Sequence, residues 1–172
     1  MTCVILILAM LFQQPITVFN TNTQQQWYVT NDDVMGGVST SKVTRDKGGK
    51  AIFSGNVSTQ NNGGFAMMRM PVSVKFNKKY SAIKLKLKGD GKKYQFRLKS
   101  ELGQRFWFVQ PFQTSGKEEV ITLQFSDFYA SFRGYKLNID NFSAQQITEI
   151  AVLIGNKKEE SFELAIENIT LQ

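Results

Sequence analysis

Short runs in which apolar and polar residues alternate cover most of this chain, and helical spacing is almost absent. The clearest runs lie in SAIKLKLKGDGKKYQFRLKSE. There Ile83, Leu85 and Leu87 alternate with Lys84, Lys86 and Lys88, and Tyr94, Phe96 and Leu98 alternate with Gln95, Arg97 and Lys99. Each run reads as a strand with one buried and one basic face. Gly89, Asp90 and Gly91 supply turn residues between them, so a hairpin is expected, with the lysines and arginines of both strands on one face. Further strands are predicted over 17–20, 27–30, 51–58, 64–70, 105–112, 119–125, 147–155 and 161–172. In the last, Phe162, Leu164 and Ile166 keep one phase, whereas Ile169 and Leu171 keep the other. One extra residue near Glu167–Asn168 would do this, which predicts a bulge. The stretch 126–146 reads as a long connection with a helical turn near 143–146. About ten short strands separated by Gly- and Asn-rich turns predict an all-β chain, an antiparallel sandwich or barrel.

Composition narrows the chemistry. The 172 residues suit one domain, able to bury a core without disulfide or metal staples. There is no histidine, which removes the Ser-His-Asp triad and most transition-metal sites. The single cysteine, Cys3, allows no internal disulfide. The net charge is +7, concentrated between Lys75 and Arg105, where eleven basic residues meet two acids, Asp90 and Glu101. Such a field favours an anionic partner, a membrane surface or an acidic protein, or serves only as a solvated face. Nucleic acid is not expected.

Cys3 to Phe12 is a run of ten apolar residues. It is too short to span a bilayer as a helix and fits the apolar part of an export signal. Residues 1–15 are therefore expected to be a leader or apolar segment and 16–172 a single sandwich domain. The leader would make the protein exported, periplasmic or membrane-associated; without that role it would be cytoplasmic. A first β-strand is the other reading of the run.

NDDVMGGVSTS, residues 31–41, holds acids and glycines close together. It has neither dinucleotide-loop nor P-loop spacing, and no helix is expected to follow. No cofactor is expected. A structural calcium drawing on Asn20, Asn22, Asp32 and Glu167 is the one cation arrangement left open. Otherwise the acids bond turn backbone and the glycines permit close approach. Asp32 and Asp33 point to opposite faces if extended and make a poor carboxylate pair, and nothing singles out a partner among Asp90, Asp127 and Asp140. No catalytic residue is assigned. A second loop, QNNGGFAMMR, repeats the pattern with Asn62, Gly63, Gly64, Phe65 and Arg69. A third motif, FRGYKL, sets Arg133 beside Gly134, where it could bind Asp32 or Asp33 bidentately and join the three motifs into one knot. Trp27, Tyr28, Phe65, Trp107, Phe112, Phe128, Tyr129, Phe132 and Tyr135 are candidates for sugar stacking or protein contact. In Arg105–Val109, Phe106, Trp107 and Phe108 alternate, so at least one aromatic must face away from a one-sided core.

Together WYVTNDDVMGGVS, FSGNVSTQNNGGFAMMR, GDGKKYQFRLKS and FYASFRGYKLN resemble the complex I intermediate-associated protein 30 family, as its bacterial single-domain members do, over about 17–172. The resemblance implies a galactose-binding-like jelly-roll sandwich. It also implies a non-enzymatic, chaperone-like binding or assembly module whose protein partner is a membrane-complex subunit or assembly intermediate. Trp27, Asp32, Asp33, Met35, Gly36, Gly37, Asn62, Gly63, Gly64, Phe65, Arg69 and Arg133 would shape its surface, with Trp107 as a further candidate. The rival is an exported carbohydrate-binding module that takes a glycan on stacking aromatics.

Overall fold

A computed structural model describes residues 14–18 and 27–172. The apolar run Cys3–Phe12 and the candidate ligands Asn20 and Asn22 lie outside the described residues. Among the described residues thirteen strands follow one another: β1 (Gln14–Val18), β2 (Tyr28–Asn31), β3 (Thr40–Arg45), β4 (Ala51–Val57), β5 (Ala66–Lys75), β6 (Ala82–Lys88) and β7 (Lys93–Lys99). Then come β8 (Trp107–Gln113), β9 (Glu118–Gln124), β10 (Tyr129–Phe132), β11 (Tyr135–Lys136), β12 (Gln146–Ile154) and β13 (Glu160–Leu171). They form two antiparallel sheets. One has the order β3-β4-β13-β6-β9 with β1 also on β13; the other runs β11-β10-β8-β7-β12-β5-β2.

Alternation explains the sandwich. Ile83, Leu85 and Leu87 from the six-stranded sheet and Tyr94, Phe96 and Leu98 from the seven-stranded sheet enter one core. Eight of the fourteen phenylalanines are buried there, which accounts for their abundance. Phe96 meets Phe128 edge-on at 6.2 Å, and Phe53 meets Phe162 at 4.7 Å. Large flat rings fill the gap between two sheets with few rotamers to freeze.

The register of β13 shifts between Ile166 and Asn168, so the expected bulge is present at Glu167. It returns Ile169 and Leu171 to the core. β1 begins at Gln14, two residues before the expected domain start, and pairs with the end of β13.

The expected hairpin of β6 and β7 does not form. β6 pairs with β13 and β9, whereas β7 pairs with β12 and β8. Because both strands turn their apolar faces into one core, their basic faces point out on opposite sides of the molecule. The basic run from Lys75 to Arg105 is thus divided, not gathered on one face. Gly89–Gly91 is a corner between sheets: a Cβ on Gly89 would lie 2.4 Å from Thr114, and Gly91 has φ +81°. Asp90 ties the corner down by accepting from Tyr94 Oη (3.0 Å), Lys92 Nζ (2.8 Å) and the Glu163 amide (3.0 Å). The stretch expected as a loop over 126–146 holds β10 and β11. They turn through Arg133 (φ 49°) and Gly134 (φ 85°), the paired left-handed residues of a two-residue hairpin.

Candidate functional site

Asp32 is fully buried, and its carboxylate fastens two glycine loops together. Oδ1 accepts from the Ser39 amide at 3.0 Å. Oδ2 accepts from Ser39 Oγ (2.5 Å), the Gly64 amide (2.6 Å) and the Phe65 amide (3.2 Å). The glycines make room for it: a Cβ on Gly37 would sit 2.4 Å from Asp32 Cγ, and one on Gly63 would sit 2.6 Å from Oδ2. Burial pushes the Asp32 carboxyl up, but the bonds from Ser39, Gly64 and Phe65 outweigh it and hold the pKa below the usual range. Bonding to backbone amides was one of the two expectations for the acids, and Asp32 meets it. The other, pairing with Arg133, is overturned. Arg133 lies in the β10–β11 turn, at the opposite edge of the seven-stranded sheet from β2, and its guanidinium faces the Phe132 ring at 5.5 Å. The third motif is therefore a separate hairpin, not part of the knot. Asp33 and Met35 are exposed, and Gly36 closes the short helical turn Asp32–Met35 with φ +87°.

The Phe65 amide held by Asp32 lies immediately before β5, and the Phe65 side chain packs on a small apolar cluster of Met67, Ala151 and Leu153, together with Trp107. These residues belong to the outer face of the seven-stranded sheet, beyond the main core. Trp107 is the outward aromatic of its run; Phe108 enters the core, and Phe106 packs against it. The same face carries Tyr28, Arg69, Arg97, Lys99, Glu149 and Tyr129 by register. Glu149 gathers its neighbours. Its Oε1 accepts from Tyr28 Oη (2.8 Å) and from Arg69 Nε (2.8 Å) and Nη2 (2.6 Å), while Lys99 Nζ lies 3.0 Å from Oε2. Burial raises the Glu149 pKa, yet the Lys99, Tyr28 and Arg69 bonds leave it lowered. Burial and the Glu149 carboxylate push the Tyr28 phenol up.

Cations lie over the aromatics of this face. Lys99 Nζ is 4.4 Å and the Arg69 guanidinium 5.3 Å from the Trp107 ring centre; Arg69 is also 5.2 Å from Tyr28, and Lys136 5.6 Å from Tyr129. On the strand positions of β5, β7, β8 and β12 that face outward, Glu149 is the one carboxylate, against Arg69, Lys75, Lys93, Arg97 and Lys99.

The candidates thus separate. Arg69, Phe65 and Trp107 meet on the outer face. Asp32, Gly37, Gly63 and Gly64 build the staple behind its edge, with Asn62 exposed at φ 60°. Phe112 and Phe128 are buried in the core, and Trp27 packs half-buried against it. Glu167 pairs with Lys86 Nζ (2.5 Å) and Lys50 Nζ (3.6 Å) at the β13 bulge, apart from the donors that fill Asp32. Among the described residues no three His, Cys, Asp or Glu side chains cluster as for a metal. Sequence reasoning missed Lys99 as a partner of Trp107 and Glu149 as the acid that joins Lys99, Arg69 and Tyr28. Their outward phase was legible, but which strands lie side by side was not.

A sandwich with this topology is a galactose-binding-like jelly roll of the kind used by carbohydrate-binding modules. The family 11 module of a Clostridium thermocellum cellulosomal cellulase superposes with TM-score 0.65 at 18% identity, covering 93% of this chain and 94% of that one. The same module in complex with a β-1,3-1,4-mixed-linked tetrasaccharide gives 0.63 at 17%, covering 92% and 94%. A family 29 module gives 0.56 at 10%, covering 93% and 87%. At such identities the likeness is one of fold. Within that fold the chain belongs to the complex I intermediate-associated protein 30 family, whose model matches residues 12–166. Probable mitochondrial complex I intermediate-associated protein 30 of Caenorhabditis briggsae and that of Caenorhabditis elegans are each 28% identical over 171 residues, 83% of this chain and 49% of theirs. The chain spans about half the length of these curated relatives. No helix among the described residues is long and apolar enough to cross a membrane.

Proposed function

We propose that this chain is a non-enzymatic protein-binding module that acts in the assembly of a membrane respiratory complex, chaperone-like, and that the outer face of the seven-stranded sheet is its binding surface. Family membership supports the role, and the relatives bear the name of complex I intermediate-associated proteins. One observation carries the choice of surface. Trp107, Tyr28 and Tyr129 sit there among cations that outnumber the single carboxylate Glu149, over a buried apolar floor. Aromatic and arginine anchors on an apolar floor are what a protein interface needs at its centre. The Asp32 staple would act indirectly, by fixing the loops that start β5.

A sugar-binding role is the second reading, and the tetrasaccharide complex of a fold relative favours it. A pyranose stacks on a bare ring, however, and Lys99 and Arg69 already lie against Trp107. A glycan array together with photo-crosslinking from position 129 separates the two. The proposal expects no array signal and crosslinks to subunits of a membrane complex. Glycan binding that disappears in Trp107→Ala, without such crosslinks, would replace it.

A further inference from the structure

Arg97 is the side chain that its surroundings do not explain. A guanidinium withdrawn from water normally faces a carboxylate. Arg97 sits in the middle of the seven-stranded sheet, and the neighbouring strands place Val109 and Ala151 opposite it, both buried and apolar. The nearest carboxylate by register is Glu149, opposite Lys99, and its oxygens are already held by Tyr28, Arg69 and Lys99. Among the described residues Arg97 bonds to one neutral acceptor, the Gln95 Oε1, from Nε at 3.2 Å and Nη2 at 2.7 Å. Burial pushes its pKa down to about 10, with the Tyr129 hydroxyl pulling the other way, so it stays charged at neutral pH.

We propose that Arg97 is the seat for a carboxylate brought by a partner: an Asp or Glu side chain on a peptide segment with apolar neighbours, laid across the outer face of the sheet. This rests on the reading of that face as a protein-binding surface. A carboxylate would supply the counter-charge that Arg97 lacks, in the forked geometry for which arginine is suited. Met67, Ala151, Leu153 and Trp107 beside it form the apolar floor for the flanking side chains. A depression lined by Lys93, Gln95, Leu153 and Asn156 continues past Gln95 and gives the chain a path. A polyanion fits less well. Arg69 and Lys99 already share the Glu149 carboxylate, so of the three cations grouped at the centre of this face Arg97 alone meets no acid among the described residues. A lipid headgroup plane meets loop tips, whereas Arg97 lies mid-strand with buried neighbours on both sides.

The test uses the full chain and an immobilised peptide library. Each peptide carries one Asp or Glu between apolar residues and is matched by its Asn or Gln counterpart. Wild type is expected to prefer the acidic peptides at least about tenfold, as a charge-assisted pair should. Arg97→Gln should lose the preference, and Arg97→Lys should keep only part of it. Arg97→Gln removes a cation without an acid partner, so its thermal midpoint should stay level or rise. A drop of more than about 5 °C would mark a structural role and overturn the assignment. So would acid preference that survives Arg97→Gln, or tighter binding to heparin oligosaccharide or phosphatidylserine vesicles that needs Arg97. Face-specific protein crosslinks that persist unchanged in Arg97→Gln would overturn this inference alone and leave the protein-binding reading standing. Absence of any face crosslinks would remove that reading instead.

Discussion

Replacing Asp32 with alanine leaves the amides of Ser39, Gly64 and Phe65 facing the space where a fully buried carboxylate was. Each orphaned buried amide costs about 1–3 kcal/mol. Water can reach part of the loops and recover some of this, and Ser39 Oγ keeps its contact with the Ser58 amide at 2.9 Å. The net loss is then about 3–5 kcal/mol, comparable to breaking other buried charged sites from one side. In a domain of this size each kcal/mol moves the midpoint by roughly 2–4 °C, so a fall of about 10 °C is expected by differential scanning calorimetry. A double-mutant cycle makes the cause specific. Gly37→Ala puts a Cβ 2.4 Å from Asp32 Cγ and Oδ1, and the three nearest atoms to that Cβ all belong to Asp32. In wild type such overpacking should cost about 1–3 kcal/mol. In an Asp32→Gly background most of that cost should vanish, a coupling of at least about 1 kcal/mol. An Asp32→Ala midpoint within about 2 °C of wild type, or strictly additive Gly37 and Asp32 effects, would refute the staple.

The acid limb of stability carries the same signature. Asp32, Asp90 and Glu149 have lowered folded-state pKa values, so near pH 4 they bind fewer protons folded than unfolded. Their stabilisation is therefore complete above about pH 5 and is lost as pH falls through the carboxylate range. Melts from pH 7 to 3 should show a shallower decline for Asp32→Asn than for wild type, and identical slopes would count against this. Deleting Glu167 removes the extra residue of the β13 bulge, after which Ile166, Ile169 and Leu171 alternate without a break and keep facing the core. Far-UV circular dichroism should therefore still show cooperative unfolding, and its loss would count against the bulge. Arg69→Ala uncovers Glu149 and should cost about 1–2 kcal/mol in urea melts, with little further loss when Glu149→Gln is added, since the pair acts as one unit.

Much of the sandwich was legible because its strands alternate. β4, β6, β7, β8, β9, β12 and β13 follow runs visible in the sequence, and the Glu167 bulge follows from a change of phase. β3 escaped notice because, as an edge strand, it spends one apolar residue, Val43, on the core. The β10–β11 hairpin was hidden because Arg133, rather than asparagine or glycine, takes the first left-handed position of its turn. Local pattern also cannot say which sheet a strand joins. That is why Gly89–Gly91 looked like a hairpin turn when it is a corner, and why the basic residues around it appeared to share a face. The staple was half legible. Acids in one loop and glycine pairs in both pointed to a shared device, but backbone amides carry no sequence signal, so an arginine was the natural partner to expect for Asp32.

The proposed protein-binding surface of this chain is the outer face of the seven-stranded sheet. Photo-crosslinking amino acids at Tyr129 and Gln95, with Lys84 on the opposite sheet as control, test it in cells that express the protein. Mass spectrometry should recover subunits or intermediates of a membrane respiratory complex from positions 129 and 95 and not from 84. Equal recovery from all three positions, or recovery from 84 alone, would contradict it.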